Sequence, residues 1–101
     1  MIKARFFTED NKKICGFEIS GHSGSAVAGE DVICAFVSSA AYMTANTLTE
    51  IVGIQADIDV SDGFLSLKVQ SGLSEAQQIL EGLRLHLRSL AGDYPNNIKV
   101  F

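Results

Sequence analysis

Residues Ile54–Gln70 read IQADIDVSDGFLSLKVQ, two runs in which apolar and polar side chains alternate on either side of Ser61-Asp62-Gly63. Alternation with a period of two puts the apolar side chains on one face of a strand. An Asp-Gly pair favours the tight turns that join antiparallel strands. The sequence therefore predicts a β-hairpin with strands Ile54–Val60 and Phe64–Gln70.

An amphipathic helix is predicted directly after this hairpin. Its apolar residues recur at intervals of three or four, the spacing of one helical face: Ala76, Leu80, Leu83, Leu87 and Leu90. Ser74 followed by Gln77 is typical of a capping box at the start of a helix. Gly92 and Pro95 predict its end, and Ile98–Phe101 is predicted to form a short last strand.

The part of the chain before the hairpin predicts a similar arrangement. Ile2–Thr8 and Lys12–Ser20 are rich in strand-forming residues and predict a first hairpin. Val32–Thr49 is apolar almost all round, which predicts a largely buried helix. The order β-β-α-β-β-α-β predicts a single α+β domain over residues 1–101, with a mainly antiparallel sheet packed with two helices.

Composition narrows the classes of function. The 101 residues carry a net charge of −4 and no run of Lys or Arg, so direct nucleic acid binding is not expected and a basic partner suits the chain better. Val32–Leu48 looks too short and too polar to cross a membrane. Met1–Arg5 reads as a strand and not as a signal peptide. Two cysteines without a disulfide pattern favour the reducing cytoplasm.

The segment Gly21–Cys34 places a histidine, an acid and a cysteine within a short distance along the chain. His22 is predicted at the end of a strand, and Cys34 near the start of the next helix. A cysteine reacts as its thiolate, which a nearby imidazole and a helix N-terminus both favour. We therefore predict that Cys34 is a nucleophile and His22 its general base.

Other interpretations of these residues stay open. Cys34 is also explained as a small core residue, and His22 as a surface histidine. Asp31 fits a helix cap, a residue that orients His22, or both. Ser38 lies one turn after Cys34 on the same helix face, where it either supports the site or bonds the preceding turn of the helix.

The remaining cysteine and histidine do not predict a metal centre. Cys15 is predicted to pack within a strand, and His86 to be solvated on the second helix. A zinc site from Cys15, His22, Cys34 and His86 matches no standard ligand spacing. No phosphate loop or dinucleotide motif is present in the sequence, so no cofactor is expected.

The pattern Gly-His-Ser-Gly, a loop of small residues, Gly-x-Asp-x-x-Cys-Ala and then Val37-Ser38 resembles the ribosomal-processing cysteine protease family, called Prp. The resemblance covers essentially the whole chain. It implies a homodimeric bacterial endopeptidase that removes the N-terminal extension of large-subunit ribosomal protein number twenty-seven, with cleavage after an aromatic residue. By position, Cys34 would be its nucleophile, His22 its base and Asp31 a supporting residue.

The loop between the histidine and the helix is expected to close over the peptide. It includes Ser23, Gly24, Gly29 and Glu30. This loop has small residues where family members often carry bulky ones. Phe36 stands where smaller residues are frequent, and it is expected to reshape the substrate pocket.

Two rival functions remain. One is a non-catalytic module that binds at the ribosome, with Cys34 structural. The other is a thiol redox sensor, whose activity would follow the oxidation of Cys34. Loss of peptide cleavage in Cys34→Ala, Cys34→Ser and His22→Ala variants would separate the protease from both.

Overall fold

The computed structural model describes residues 1–21 and 30–101, and of Glu30 and Asp31 it describes the backbone alone. The elements follow the predicted order. They are β1 (Ile2–Thr8), β2 (Ile14–Ser20), α1 (Glu30–Asn46), β3 (Gln55–Ser61), β4 (Phe64–Ser71), α2 (Leu73–Asp93) and β5 (Ile98–Val100). A π-helical segment, Thr47–Val52, continues α1.

The described strands form one mixed five-stranded sheet in the order β3-β4-β2-β1-β5. Both predicted hairpins form, and they meet where β2 pairs antiparallel with β4. The last strand, β5, lies parallel to β1 at one edge. The pairing of β2 with β4 joins the two halves of the chain. It also brings the end of β2 beside the β3–β4 turn, because Ser20 pairs with Phe64.

One hydrophobic core holds the sheet against the helices. Phe17 and Leu67 of the central strands and Leu80 and Leu87 of α2 are fully buried in it. The α2 stripe that the sequence predicts is confirmed, since its Ala76, Leu80, Leu83 and Leu87 are all buried. A β-bulge between Phe7 and Thr8 shifts the register of the first hairpin. Ile14 is therefore buried with Phe17, although simple alternation predicts opposite faces.

The predicted capping box is wrong. The helix α2 begins at Leu73, after Gly72, and no side chain caps it. Gln77 instead bonds across to β2: its Oε1 accepts from the Ile14 N–H at 2.7 Å and its Nε2 donates to the Ile14 carbonyl at 2.7 Å. Both backbone groups of Ile14 are thus satisfied, so Gln77 ties α2 to the end of the first hairpin.

The first helix is buried on one side only, contrary to the prediction. Val37, Ala41 and Leu48 pack in the core, whereas Met43 on the outer side is 73% exposed. The π-helical continuation also lengthens the helix beyond the predicted end at Thr49. Val32–Val52 thereby reaches 21 residues with a mean hydropathy of 1.3, long and apolar enough to cross a membrane by length and composition alone.

The estimate that this run is too short for a span is therefore wrong. Its core-facing side chains are those expected of the central helix of a globular domain, which passes the same criterion.

Candidate active site

A cavity of about 290 Å³ lies between α1, the end of β2 and the β3–β4 turn. Its buried walls are apolar and include Ile2, Ile19, Val37 and Leu65. Cys34 lines the cavity and is half-buried, so its sulfur lies between the core and the open space. Among the described residues, Cys34 is therefore not sealed inside the core.

The position of Cys34 follows from where α1 begins. The helix starts at Glu30, one residue earlier than the predicted cap, and so Asp31 lies inside its first turn. Cys34 comes one turn after Glu30, next to the backbone N–H groups that have no partner within the helix. The helix dipole favours negative charge at this end. These N–H groups can donate to a negatively charged oxygen that develops beside the start of the helix.

One face of α1 continues the cavity away from Cys34. Ser38 and Tyr42 follow at successive steps of four residues, and both line the cavity. Ser38 thus lies on the same face as Cys34, as predicted. Tyr42 is 46% exposed and places a phenol at the far end of this row.

The end of β2 forms the opposite wall. Gly21, which immediately precedes His22, lines the same cavity as Cys34. It adopts φ +91°, and a Cβ at this position would collide with the carbonyl oxygen of Met1. Its N–H donates to the Gly63 carbonyl at 2.9 Å. Glycine is therefore required here by both the backbone conformation and the lack of space for a side chain. Gly21 is thus a residue of the cavity wall, and His22 is its neighbour in the sequence.

The other predicted site residues are only partly described. His22, Ser23, Gly24 and Gly29 lie outside the described residues, and the side chains of Glu30 and Asp31 do as well. The pairing of His22 with Cys34 and the contact of Asp31 with His22 both stay predictions. The structure brings together Cys34, Ser38 and the residue before His22.

Several residues of the cavity wall are not anticipated from the sequence, among them three with polar or aromatic side chains. Tyr42, Asp62 and Phe64 all line it. In the sequence, the Asp-Gly pair predicts only a hairpin turn. Its place at the cavity of Cys34 depends on the pairing of β2 with β4, which links distant parts of the chain. The sequence does indicate the position of Tyr42, because a residue eight positions after Cys34 lies on the same helix face.

Among the side chains that the structure describes, those of residues 1–21 and 32–101, no group of three or more from His, Cys, Asp or Glu is placed to hold a metal ion. Cys15 is half-buried in β2, where its Sγ donates to the Phe7 carbonyl at 3.4 Å. His86 is exposed on α2, on the other side of α1 from the cavity that Cys34 lines.

A second, apolar groove of about 920 Å³ runs between α1 and α2. Phe36, Met43, Leu83, His86 and Leu90 line it. The Phe36 ring lies 6.3 Å from the Tyr94 ring, measured between centroids. Phe36 lines this groove and not the cavity of Cys34, because a helix residue two positions after Cys34 points away from its face. The expectation that Phe36 reshapes the substrate pocket stays a prediction.

Comparisons of the sequence and of the fold with known proteins identify a family for this chain. A sequence model of the family described as cysteine protease Prp matches residues 1–99. The ribosomal processing cysteine protease Prp of Bacillus subtilis (strain 168) is 27% identical over 99% of this chain and 96% of its own length. The protein of the same name from Staphylococcus aureus (strain Mu50) is 25% identical, with 99% and 97% coverage.

Solved structures share the fold. S. aureus Prp in complex with a substrate peptide superposes with a TM-score of 0.89 at 23% identity, covering 100% of this chain and 98% of that chain. SMU.848 from Streptococcus mutans gives a TM-score of 0.84 at 25% identity, with 99% and 91% coverage. The fold and the family match together define a cysteine peptidase. The chain belongs to the cysteine protease Prp family.

Proposed function

We propose that this chain is an endopeptidase that removes the N-terminal extension of large-subunit ribosomal protein number twenty-seven and so supports ribosome maturation. Cys34 acts as the nucleophile, His22 as the general base, and Asp31 supports His22. The observation that carries the proposal is that Cys34 and Gly21, the residue before His22, line one cavity. The curated relatives named for ribosomal processing support the substrate class.

The reaction begins at the thiolate of Cys34. Its sulfur attacks the scissile carbonyl carbon, and a C–S bond forms while the carbonyl oxygen becomes an oxyanion. Backbone N–H groups at the start of α1 are the natural donors to this oxyanion, since the helix leaves them without partners. His22, protonated by the thiol, gives that proton to the departing amine, and the C–N bond breaks.

The product of this first step is a thioester between Cys34 and the removed extension. A water molecule then attacks the thioester carbonyl while His22 takes one of its protons. The C–S bond breaks, the extension leaves with a new carboxylate, and the thiol is restored. Two barriers replace one larger barrier, which is the advantage of covalent catalysis.

Substrate binding uses the apolar walls of the cavity. An extended peptide lies along the α1 face between Cys34 and Tyr42, with an aromatic side chain of the extension against the buried walls. The segment Ser23–Glu30, which includes Gly24 and Gly29, closes over the peptide and brings His22 to Cys34. Ser38 supports the bound peptide from the same helix face. Closure that depends on the peptide would protect other proteins from this small enzyme.

Mass spectrometry of the intact ribosomal protein tests this function. The purified chain is mixed with precursor carrying its extension, and the mass of the precursor is followed with time. We expect loss of the extension at one bond, with cleavage absent in Cys34→Ala and His22→Ala variants of unchanged circular dichroism. A precursor that is bound but stays intact with the wild-type chain would contradict the proposal and favour a binding module.

We also propose that the chain forms a homodimer through the groove between α1 and α2. The outer side of α1 carries no charged side chain from Val32 to Thr49. Phe36 and Met43 are exposed on it, beside the groove that Leu83 and Leu90 also line. Burial of such a patch against a second copy stabilises a dimer by about 25 cal/mol per Å² of apolar surface removed from water.

Two matched substitutions test the dimer by light scattering after size-exclusion chromatography. Met43 and Leu85 are almost equally exposed, at 73% and 72%, but only Met43 lines the groove. We expect Met43→Glu to give a monomer and Leu85→Glu to leave the dimer intact. Equal behaviour of the two variants would contradict this interface.

The proposed location is the cytoplasm, where the ribosome is assembled and thiols stay reduced. Cys15 and Cys34 are not joined by a disulfide, which fits that compartment. Fractionation of cells with an antibody to the chain tests the location. Recovery in the membrane fraction would contradict it.

A further inference from the structure

Asp62 is the only residue with a charged side chain among the described residues that line the Cys34 cavity. The other described walls are apolar or carry hydroxyl groups, such as those of Ser38 and Tyr42. No basic side chain in the described part of the chain forms an ion pair with Asp62. Asp62 is also exposed to solvent, so its charge is available to interact with a peptide bound at the cavity.

The backbone holds Asp62 in a defined position. It is the first residue of the two-residue turn between Ser61 and Phe64, which pair with each other. Gly63 takes φ +69°, and its carbonyl accepts the N–H of Gly21 at 2.9 Å. The turn is therefore tied to the strand end that leads to His22, and Asp62 cannot drift away from the site as a free loop residue would.

The length of the α1 face from Cys34 to Tyr42 sets how many residues of a bound peptide lie within reach of Asp62. Eight residues of helix span about 12 Å at about 1.5 Å each. An extended peptide covers that length with about four residues at about 3.3 Å each. Asp62 lies across the cavity from this face of α1, so it faces a substrate residue within about four positions of the scissile bond.

We propose that Asp62 is a specificity-determining residue that selects peptides carrying Lys or Arg within about four residues of the scissile bond. The proposal rests on the proposed peptidase function and adds a preference for charge. The net charge of −4 also favours a cationic substrate. Proteins that bind RNA carry many Lys and Arg residues, so a ribosomal precursor supplies the matching charge.

A charge-swap experiment tests this role. Peptides spanning the cleavage site carry a single Lys, or a single Glu, at each of the four positions on either side of the scissile bond. The wild-type chain is expected to cleave the best Lys peptide about 3- to 10-fold faster, in kcat/KM, than its Glu counterpart, as an exposed pair allows. Asp62→Asn should bring the ratio close to 1, and Asp62→Lys should invert it.

Asp59→Asn and Asp59→Lys are the matched controls. Asp59 is an exposed acid on β3 that does not line the cavity, and the same substitution there changes the net charge equally. The Lys/Glu ratio should keep its wild-type value in these controls. In the wild-type chain, the ratio should fall toward 1 as the salt concentration rises from 0.05 to about 0.5 M, because salt screens exposed charges.

The outcomes separate the two proposals. A wild-type ratio near 1 at every position, or a preference that survives in Asp62→Asn, would overturn the role of Asp62 while peptidase activity remains. If the wild-type chain cleaves none of the peptides, the proposed function is contradicted, and this inference with it. Inversion in Asp62→Lys with no change in Asp59→Lys is the result we expect.

Discussion

Replacement of Gly21 by alanine should damage both stability and activity, because this glycine joins the strand end before His22 to the rest of the site. At φ +91°, an alanine suffers the steric cost of left-handed backbone, about 1–2 kcal/mol. Its Cβ would also collide with the Met1 carbonyl oxygen, a backbone atom that cannot move alone. We expect a total loss of about 2–4 kcal/mol in the free energy of unfolding.

Gly53→Ala is the control for the backbone term alone. Gly53 has a similar φ of +82°, but nothing lies within 4 Å of a Cβ built there. We therefore expect Gly53→Ala to cost only about 1–2 kcal/mol. Urea unfolding followed by circular dichroism measures both values, against a total stability of about 5–15 kcal/mol for a domain of this size.

Activity should separate the two variants more clearly. Relief of the collision moves the end of β2 relative to Gly63, and a displacement of about 1 Å in a catalytic group can cost about 100-fold in rate. For folded protein, we expect kcat to fall at least tenfold in Gly21→Ala and to stay within twofold in Gly53→Ala, in line with this sensitivity. Equal unfolding energies and equal kcat values in the two variants would refute this reasoning.

Two further predictions concern the attachment of α2. Gln77→Ala leaves both backbone groups of Ile14 without their side-chain partners, so we expect a loss of about 2–4 kcal/mol by urea unfolding, whereas exposed Gln78→Ala should change little. Leu80→Ala opens a cavity at a fully buried position and should cost about 2–5 kcal/mol, whereas Leu85→Ala, 72% exposed, should change stability by about 0.5 kcal/mol or less. Equal losses in the free energy of unfolding within either pair would contradict the packing described for α2.

The strands were predictable because their signals are local. The alternation on either side of Asp62-Gly63 carries the pattern of two strands, and the run Ile2–Thr8 that of one, whose bounds in the structure are the predicted ones. The apolar stripe of α2 was equally clear. Such patterns depend only on which side chains share a face.

The wrong predictions concern features that depend on residues distant in the chain, such as hydrogen-bond partners and the covered face of a helix. Gln77 matches a capping box in sequence, but Ile14 supplies two backbone partners from a strand far away in the chain. Met43 looks like a core residue by hydropathy, yet α1 is covered on one side only. No local pattern reveals which apolar face of a helix the sheet covers.

The sequence indicates candidate site residues but not the walls of the cavity. A cysteine near the start of a helix is visible in the sequence, and the structure places Cys34 at a cavity, while its role as nucleophile stays a prediction. Asp62 reaches the cavity only because β2 pairs with β4, so its place there could not be derived before the topology was known. The place of Tyr42 on the Cys34 face of α1 could be derived from the spacing of eight residues.

Trapping of the thioester tests the central claim, that the Cys34 sulfur is the nucleophile. The wild-type chain is mixed with precursor peptide, quenched in acid within the first turnover, digested, and mapped by mass spectrometry. We predict that the removed fragment, less one water, is attached to the peptide that contains Cys34, and that this adduct is absent in His22→Ala. An adduct on Cys15, or cleavage that persists in Cys34→Ser, would contradict the claim.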